Sequence, residues 1–160
     1  KQDEGDKLYR RSMYTFWKRQ APPASMLILD APTREVCTSQ RPRTNTPLQA
    51  LQQMNDTQFV EAARHLAQRM LQEGGTDMMA RLAYGFELAT AREPSEEEKA
   101  ILCEVLAAQL ADYQAKPEEA EALLKVGQSP REETLDPVEH AAWTTIASMM
   151  LNLDETISKS

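Results

Sequence analysis

Three arginines beside a helix start are the residues in this chain best suited to bind an anion. Arg41 and Arg43 stand directly before the Thr44–Pro47 segment, and Arg34 lies a few residues upstream. A helix start leaves backbone amides without internal partners, and guanidinium groups bind carboxylate, sulfate or phosphate through paired hydrogen bonds. The candidate residues for binding an anion or a partner are therefore Arg34, Arg41, Arg43, Thr44 and Asn45.

The same arginines could instead hold the fold together from inside. Residues 10–43 carry seven Lys and Arg against two Asp and Glu, whereas residues 76–160 carry seven against 17. An arginine has five donors, so it can satisfy carboxylates and irregular backbone carbonyls at once. We favour this internal role, in which the arginines pair with the acidic half of the chain and fix the connection around them.

Aromatic and basic residues alternate near the N-terminus in a way that two kinds of structure could produce. The aromatic members are Tyr9, Tyr14, Phe16 and Trp17, and the basic ones are Arg10, Arg11, Lys18 and Arg19. Binders of single-stranded nucleic acid use this mixture. However, Tyr9, Met13, Phe16 and Trp17 also recur at helical spacing, which predicts a helix over about 5–19 with these side chains in the core. We favour the helix, because the net charge of −7 is unfavourable for a nucleic-acid partner.

The histidines and cysteines do not form the pattern of a metal or haem site. His65 and His140 each stand alone on a predicted helix, His65 beside the core and His140 in a solvated first turn. Cys37 and Cys103 belong to no CxxC or CxxCH motif, and the sequence leaves open whether they are bridged. Cys103 falls in an apolar helical stripe and is expected to act as a small core residue. We therefore expect no cofactor and no metal in this chain.

Carboxylates in or near the arginine-containing segment are the remaining candidates for acid–base chemistry. They are Asp30, Asp56 and Glu61, and Asp56 already has a structural explanation as a helix cap. The chain contains no G-x-S-x-G motif, P-loop or dinucleotide-binding fingerprint. No catalytic constellation can be identified from the residues, and whether the chain is an enzyme stays open.

Composition predicts an all-α fold. The chain has 160 residues, of which 41% are hydrophobic and only five are glycine, and it is rich in Ala, Leu, Glu and Gln. This length suits one domain, and the scarcity of turn residues disfavours a sandwich or barrel. We expect a single domain over residues 1–160, a bundle of five to seven helices with a long irregular connection rich in Pro and Arg near the N-terminus.

Capping residues and apolar periodicity place the helices. Pro22-Pro23 ends the first helix, and Ser25 is expected to cap a single turn within the connection over 20–46. Helices are predicted over 47–54 and from Asp56 to Gly74-Gly75, and another after Thr76 or Asp77. Further helices follow Ser95, Pro117 and Asp136-Pro137, and Ser95 with Glu98 matches a capping box. No run approaches the ~18 apolar residues of a membrane span, so membrane insertion is not expected.

The longest motifs in the chain resemble those of one family. They are RRSMYTFWKRQAPPASMLILDAPTREVC, RPRTNTPLQALQQMND, AREPSEEE and AAWTTIASMMLNLDET. They are similar to an uncharacterised C-terminal domain of planctomycete-type multidomain proteins that often carry a cytochrome-c-like module upstream. The resemblance covers nearly the whole chain and implies export to the periplasm or cell envelope. It supplies no catalytic residue, and the haem-binding motif of the upstream module is absent from this sequence.

Two functions follow as expectations. The first is a non-catalytic structural or interaction domain of an exported multidomain protein, cut from the C-terminal part and packing against neighbouring domains. The alternative is a domain that completes the active site of a cytochrome-linked envelope enzyme, where Arg41, Arg43 and Asn45 bind an anionic group of a substrate such as a carbohydrate. In either case the arginine-containing segment is expected to contact the neighbouring domain or the substrate.

Overall fold

A computed structural model describes residues 5–9, 12–18, 20–40, 42 and 44–157. Helix α1 spans Ala24–Ile28, α2 Pro47–Asn55, α3 Thr57–Glu73, α4 Met78–Thr90, α5 Glu96–Ala115, α6 Pro117–Leu124, α7 Pro137–Leu151 and α8 Asp154–Ile157. The described residues form no strand. The all-α prediction is confirmed: α2–α7, each of eight or more residues, form the bundle, and α1 and α8 are short turns of helix.

Helix α7 is the centre of the bundle. Eight of the eleven positions from His140 to Met150 are buried, and α7 packs against α3, α4, α5, α6 and α8. A helix that is apolar on all sides must be enclosed, and here its main neighbour is α3. Gly85 lets α4 approach α3 closely, because a Cβ there would lie 2.5 Å from the Met70 sulfur.

The caps form as the sequence predicts. Thr46 and Gln49 make a capping box at the start of α2, and Ser95 and Glu98 make another at α5. Asp56 caps α3, and Asp77 and Asp136 cap α4 and α7 with their carboxylates. Each cap provides an acceptor for a first-turn amide that has no partner within its own helix. The predicted Ser25 cap is wrong: Ser25 lies inside α1, which begins at Ala24 after Pro23.

The predicted N-terminal helix over 5–19 is wrong. Among the described residues, this segment forms only two short 3₁₀ turns, Gly5–Tyr9 and Ser12–Tyr14. The side chains expected in the core are largely exposed: Tyr9 by 52%, Met13 by 63% and Phe16 by 82%. Because these side chains are left largely uncovered, a helix here would lack the tertiary packing that stabilises an amphipathic helix.

The expected solvation of His140 is also wrong, because this residue is fully buried. Its Nε2 lies 3.2 Å from the Arg64 carbonyl on α3, so the first turn of α7 is covered by α3. Cys37 and Cys103 are both free thiols in this structure. Cys103 packs against the core as expected, with its Sγ 3.2 Å from the Met79 sulfur.

Candidate functional site

The start of α2 is already occupied by a carboxylate from the chain itself. Asp30 accepts hydrogen bonds from the Thr44 amide at 2.8 Å, the Thr44 hydroxyl at 2.8 Å and Gln49 Nε2 at 3.1 Å. Gln49 is buried, and its Oε1 accepts from the Thr46 amide at 2.8 Å. We call Asp30, Thr44, Thr46 and Gln49 the Asp30 clamp, because they close the connection onto α2.

The backbone at Asp30 explains why an aspartate stands there. Its φ of 58° is in the left-handed region, which Asp tolerates better than most residues with a side chain. This turn ends α1 and directs the carboxylate to the start of α2, where the helix dipole favours negative charge. An internal carboxylate therefore binds Thr44, one of the residues that the sequence suggested for an external anion.

The other predicted site residues contact different partners. Asn45 Nδ2 donates to Asp154 Oδ1 at 2.8 Å, which ties the connection to α8 in the acidic half. The Arg34 guanidinium carbon lies 4.8 Å from the centre of the Trp17 ring, a cation–π contact. Arg41 and Arg43 lie outside the residues that the structure describes. The Asn45 contact thus joins the connection to the acidic half, whereas both roles of Arg41 and Arg43, internal pairing and ligand binding, stay predictions.

Loss of the Asp30 charge should loosen the connection. Asp30→Asn keeps the shape and the left-handed backbone, but its amide nitrogen would face donors, so we expect a loss of about 1–3 kcal/mol in the free energy of unfolding. Urea unfolding measures this, and faster trypsin cleavage after Arg34 should accompany it. Glu35→Gln, on an exposed side chain of the same connection, is the control. Equal stability of the two variants would contradict the clamp.

A second polar cluster, which the sequence did not indicate, holds the loop between α6 and α7. The Glu61 carboxylate accepts from the Gln128 amide at 3.0 Å and the Ser129 amide at 2.8 Å. Arg64 donates to the Leu124 carbonyl at 2.6 Å, the Ser129 carbonyl at 2.7 Å and the Ser129 hydroxyl at 2.6 Å. We call Glu61, Arg64, Gln128 and Ser129 the loop clasp. Glu61 and Arg64 are only 2% and 3% exposed, so these bonds form away from water.

The loop clasp fixes the charge of Glu61. Burial alone would raise the pKa of this carboxyl, but hydrogen bonds from Ser129 and Gln128 outweigh it and lower the pKa to about 2. Gly127 makes the close approach possible, since its φ is 104° and a Cβ would collide with the Glu61 carboxylate. Gly127 is therefore required where the loop meets α3.

The first 3₁₀ turn is tied to the same place. The Gly5 amide donates to Gln128 Oε1 at 2.8 Å. Although Tyr9 is half exposed, burial of its hydroxyl end and its hydrogen bond to Glu61 raise the pKa of Tyr9 to about 12. The N-terminal segment is thus anchored by polar contacts, whereas much of its apolar surface faces solvent.

A serine and a histidine meet at the loop clasp, but their surroundings suit structure rather than acyl transfer. His65 Nε2 lies 2.7 Å from the Ser129 hydroxyl. That oxygen also accepts from Arg64, and the Gln128 and Ser129 amides, which could have stabilised an oxyanion, both donate to Glu61. The arrangement holds the loop. The sequence singled out Glu61 as a candidate carboxylate and placed His65 beside the core, but it did not indicate that they meet Arg64 and the loop at Ser129.

Acid should destabilise the fold in two steps. Burial lowers the pKa of His140 below 6.5 and, together with the nearby Arg64 and Arg131 charges, outweighs the hydrogen bond to the Arg64 carbonyl, which raises it. The unfolded chain therefore protonates His140 at a higher pH than the folded chain does, so the free energy of unfolding falls as pH drops below about 6.5. Glu61 causes a second loss as pH drops from about 4.5 towards 2, because the unfolded chain protonates this carboxylate first. In His140→Gln, the urea midpoint should therefore fall less between pH 7.5 and 5 than it does in the wild type. An unchanged first step in His140→Gln would contradict the assignment.

The described residues contain neither a metal-binding cluster nor a membrane-spanning helix. No group of three or more His, Cys, Asp and Glu in this part of the chain could hold a metal ion. None of its helices is both long and apolar enough to cross a membrane.

Comparison with known proteins identifies a family. A family model described as PSD1, a protein of unknown function (DUF1553), matches residues 1–106. This range contains the two 3₁₀ turns, the Asp30 clamp and the Glu61 and Arg64 side of the loop clasp. Neither the curated proteins nor the solved structures gave a match. Since the matched range is well over half of the sequence, this chain belongs to the PSD1 family of proteins of unknown function.

Proposed function

We propose that this chain is a non-catalytic structural and interaction domain that docks through its N-terminal segment. One observation carries the proposal. Among the described residues, every buried hydrophobic residue lies between Ala63 and Met150, whereas nine of the 14 large exposed hydrophobic residues lie between Tyr9 and Met54. The first third of the chain therefore presents apolar side chains outwards instead of adding them to the core.

The exposed side chains are of the kinds that interfaces use. Tyr9, Met13, Tyr14 and Phe16, which we call the aromatic segment, are all more than half exposed. Aromatic residues and methionine are enriched at protein interfaces, and clustered exposure of apolar groups is uncommon on a surface that stays in water. Residues 10–43 carry a net charge of +5 by sequence, so the matching partner surface is acidic as well as apolar.

The partner we propose is a neighbouring domain of the same exported protein. The resemblance of the long N-terminal motifs to a domain of cytochrome-c-containing envelope proteins supports a place in the periplasm or cell envelope. The cofactor of such a protein would belong to another module, because this sequence has no CxxCH motif. The chain would thus contribute a docking surface and a rigid bundle, and no cofactor of its own.

The contacts at the start of α2 weigh against the alternative of an anion-binding domain. The Thr44 amide and hydroxyl are engaged by Asp30, and the Asn45 amide group is engaged by Asp154. A substrate anion would have to displace these carboxylates. If it does, sulfate or a uronic acid should raise the melting temperature, and Arg43→Ala should abolish the rise. Our proposal expects no such rise.

Hydroxyl-radical footprinting tests the docking proposal. In the isolated domain, Met13 and Phe16 should be oxidised rapidly, because they are the most exposed of their residue types among the described side chains. In the full-length protein both should be protected several-fold, whereas Met78, which is 43% exposed on α4, should react equally in both. Equal oxidation of Met13 and Phe16 in the two samples would refute docking through the aromatic segment.

A further inference from the structure

A recess on the side of the bundle has the size of a small-molecule site. Its volume is about 400 Å³, and it lies between the end of α2, α3, the end of α5, α6 and α7. Met54, Val60, Ala63, Leu123 and Met149 form its apolar wall. This volume is near the lower end of ligand pockets, which run from about 300 to 1,000 Å³.

The remaining lining residues form a polar wall, in which Thr144 makes a short hydrogen bond, 2.8 Å to the His140 carbonyl, and the other side chains make long bonds or none within the described residues. Thr145, Ser148 and Asn152 follow one another at intervals of three and four residues, so they lie in a row along one face of α7. The Tyr113 hydroxyl lies 3.3 Å from Thr145 Oγ1, which is itself 3.3 Å from the Ala141 carbonyl. Both distances exceed the usual range of about 2.5–3.0 Å for hydroxyl hydrogen bonds.

Asn152 adds a polar atom whose hydrogen-bonding capacity is unused. Its Oδ1 is buried and accepts no hydrogen bond within the part of the chain that the structure describes. Leaving such an acceptor unpaired is unfavourable, since it has lost its water without gaining a donor. The polar wall therefore has hydrogen-bonding capacity that a bound molecule could use after a small rotation of these side chains.

We propose that this recess binds an uncharged small molecule with an apolar body and one hydroxyl group, such as a medium-chain alcohol. The apolar body would lie against Met54 and Met149, whose flexible side chains adapt to different shapes. The hydroxyl would exchange hydrogen bonds with Tyr113, Thr145 and Ser148. None of the ten lining residues carries a charge, so an ionised ligand would lose its hydration without gaining a counter-charge.

This site lies apart from the aromatic segment, and Met54 alone among its lining residues also belongs to the exposed apolar residues of the first third of the chain. The surface is also concave and limited in volume, which favours a small molecule over a partner helix. A protein partner remains one of the outcomes that the experiment distinguishes.

Titration of the ¹⁵N-labelled domain with 1-octanol tests the proposal by NMR. We expect saturable shifts confined to amides around the recess, such as those of Thr145 and Ser148. Octanoate has the same chain length and a negative charge, and it should bind at least roughly tenfold more weakly. Absence of saturable shifts with octanol, or equal affinity for octanol and octanoate, would overturn the proposal.

Three variants show whether the recess itself is the binding site. Ser148→Leu fills it and should abolish octanol binding, whereas Ala108→Leu adds the same side chain at an exposed position on α5 and should leave binding unchanged. Thr145→Val keeps the shape, so it should weaken octanol binding several-fold without unfolding the domain, even if Ser148→Leu folds poorly. Octanol binding that survives in both recess variants would overturn the assignment. The assignment would also be overturned if the wild-type domain bound no octanol but Ser148→Leu changed its sedimentation coefficient, because the recess would then bind a protein partner.

Discussion

The variant Arg64→Met should lose about 3–5 kcal/mol of unfolding free energy, which is the cost of breaking a buried ionic and hydrogen-bonded group on one side. The methionine keeps the length of the apolar stem, so the loss reports the guanidinium group. Without it, the Leu124 and Ser129 carbonyls lose their donors, and the buried Glu61 carboxylate loses the cation that lies 3.8 Å away. For a chain of this size the melting temperature should fall by roughly 10 °C, measured by circular dichroism.

Arg69→Met provides a matched control on the same helix. Arg69 pairs with Glu73 at the surface, where both side chains are about half exposed, and such pairs contribute little, about 0–1 kcal/mol. The loss in Arg64→Met should therefore be several times larger than in Arg69→Met. Similar losses in the two variants would mean that the loop clasp does not hold the loop against α3.

Two phenylalanines should respond to the same substitution in opposite ways. Phe86 on α4 is 2% exposed and packs in the core around α7, so Phe86→Ala should cost about 3–5 kcal/mol. Phe16 is 82% exposed, so Phe16→Ala should stay within about 0.5 kcal/mol of the wild type. Urea unfolding of the two variants under identical conditions measures the difference.

The stability of Phe16→Ala relative to Phe86→Ala shows whether Phe16 is exposed, as in the structure, or buried, as the helical spacing predicts. The spacing of Tyr9, Met13, Phe16 and Trp17 predicts that Phe16 lies in the core, in which case Phe16→Ala should cost as much as Phe86→Ala. A large loss in Phe16→Ala would therefore restore the predicted N-terminal helix and remove the basis for a docking surface there.

Local signals predicted the bundle well. Thr46-Pro47, Asp56, Asp77, Ser95 and Asp136 each place a side-chain acceptor next to the first free amides of a helix, and this depends on only a few neighbouring residues. The start of every helix from α2 to α5, and of α7, could therefore be read from the sequence. The same holds for the all-α class, which follows from composition.

The errors arose where periodicity was read without knowledge of the partner surface. An apolar stripe stabilises a helix only if another element covers it, and α7 is already enclosed by α3, α4, α5, α6 and α8. The N-terminal stripe is left without a core, whereas His140, expected in water, lies at the centre because it belongs to α7. Neither result could be read from the residues alone, since both depend on which helices pack together.

The contacts of the candidate site could not be read from the sequence for the same reason, because they depend on residues that are distant along the chain. The segment and its helix start were identified, but Asp30 lies 19 residues before Gln49, and Glu61 lies 68 before Ser129. Contacts over such separations leave no local pattern. The sequence therefore indicated Thr44 as a donor before α2 without showing that the Asp30 carboxylate accepts from it.

The central claim is that the aromatic segment is a docking surface, and photo-crosslinking in the full-length protein tests it most directly. Benzoylphenylalanine introduced at Phe16 should crosslink to a peptide outside residues 1–160, with acidic residues near the attachment point. The same probe at Leu88, which is 44% exposed on α4, should give no such product. Crosslinks from Phe16 that stay within residues 1–160, or that match those from Leu88, would contradict the account.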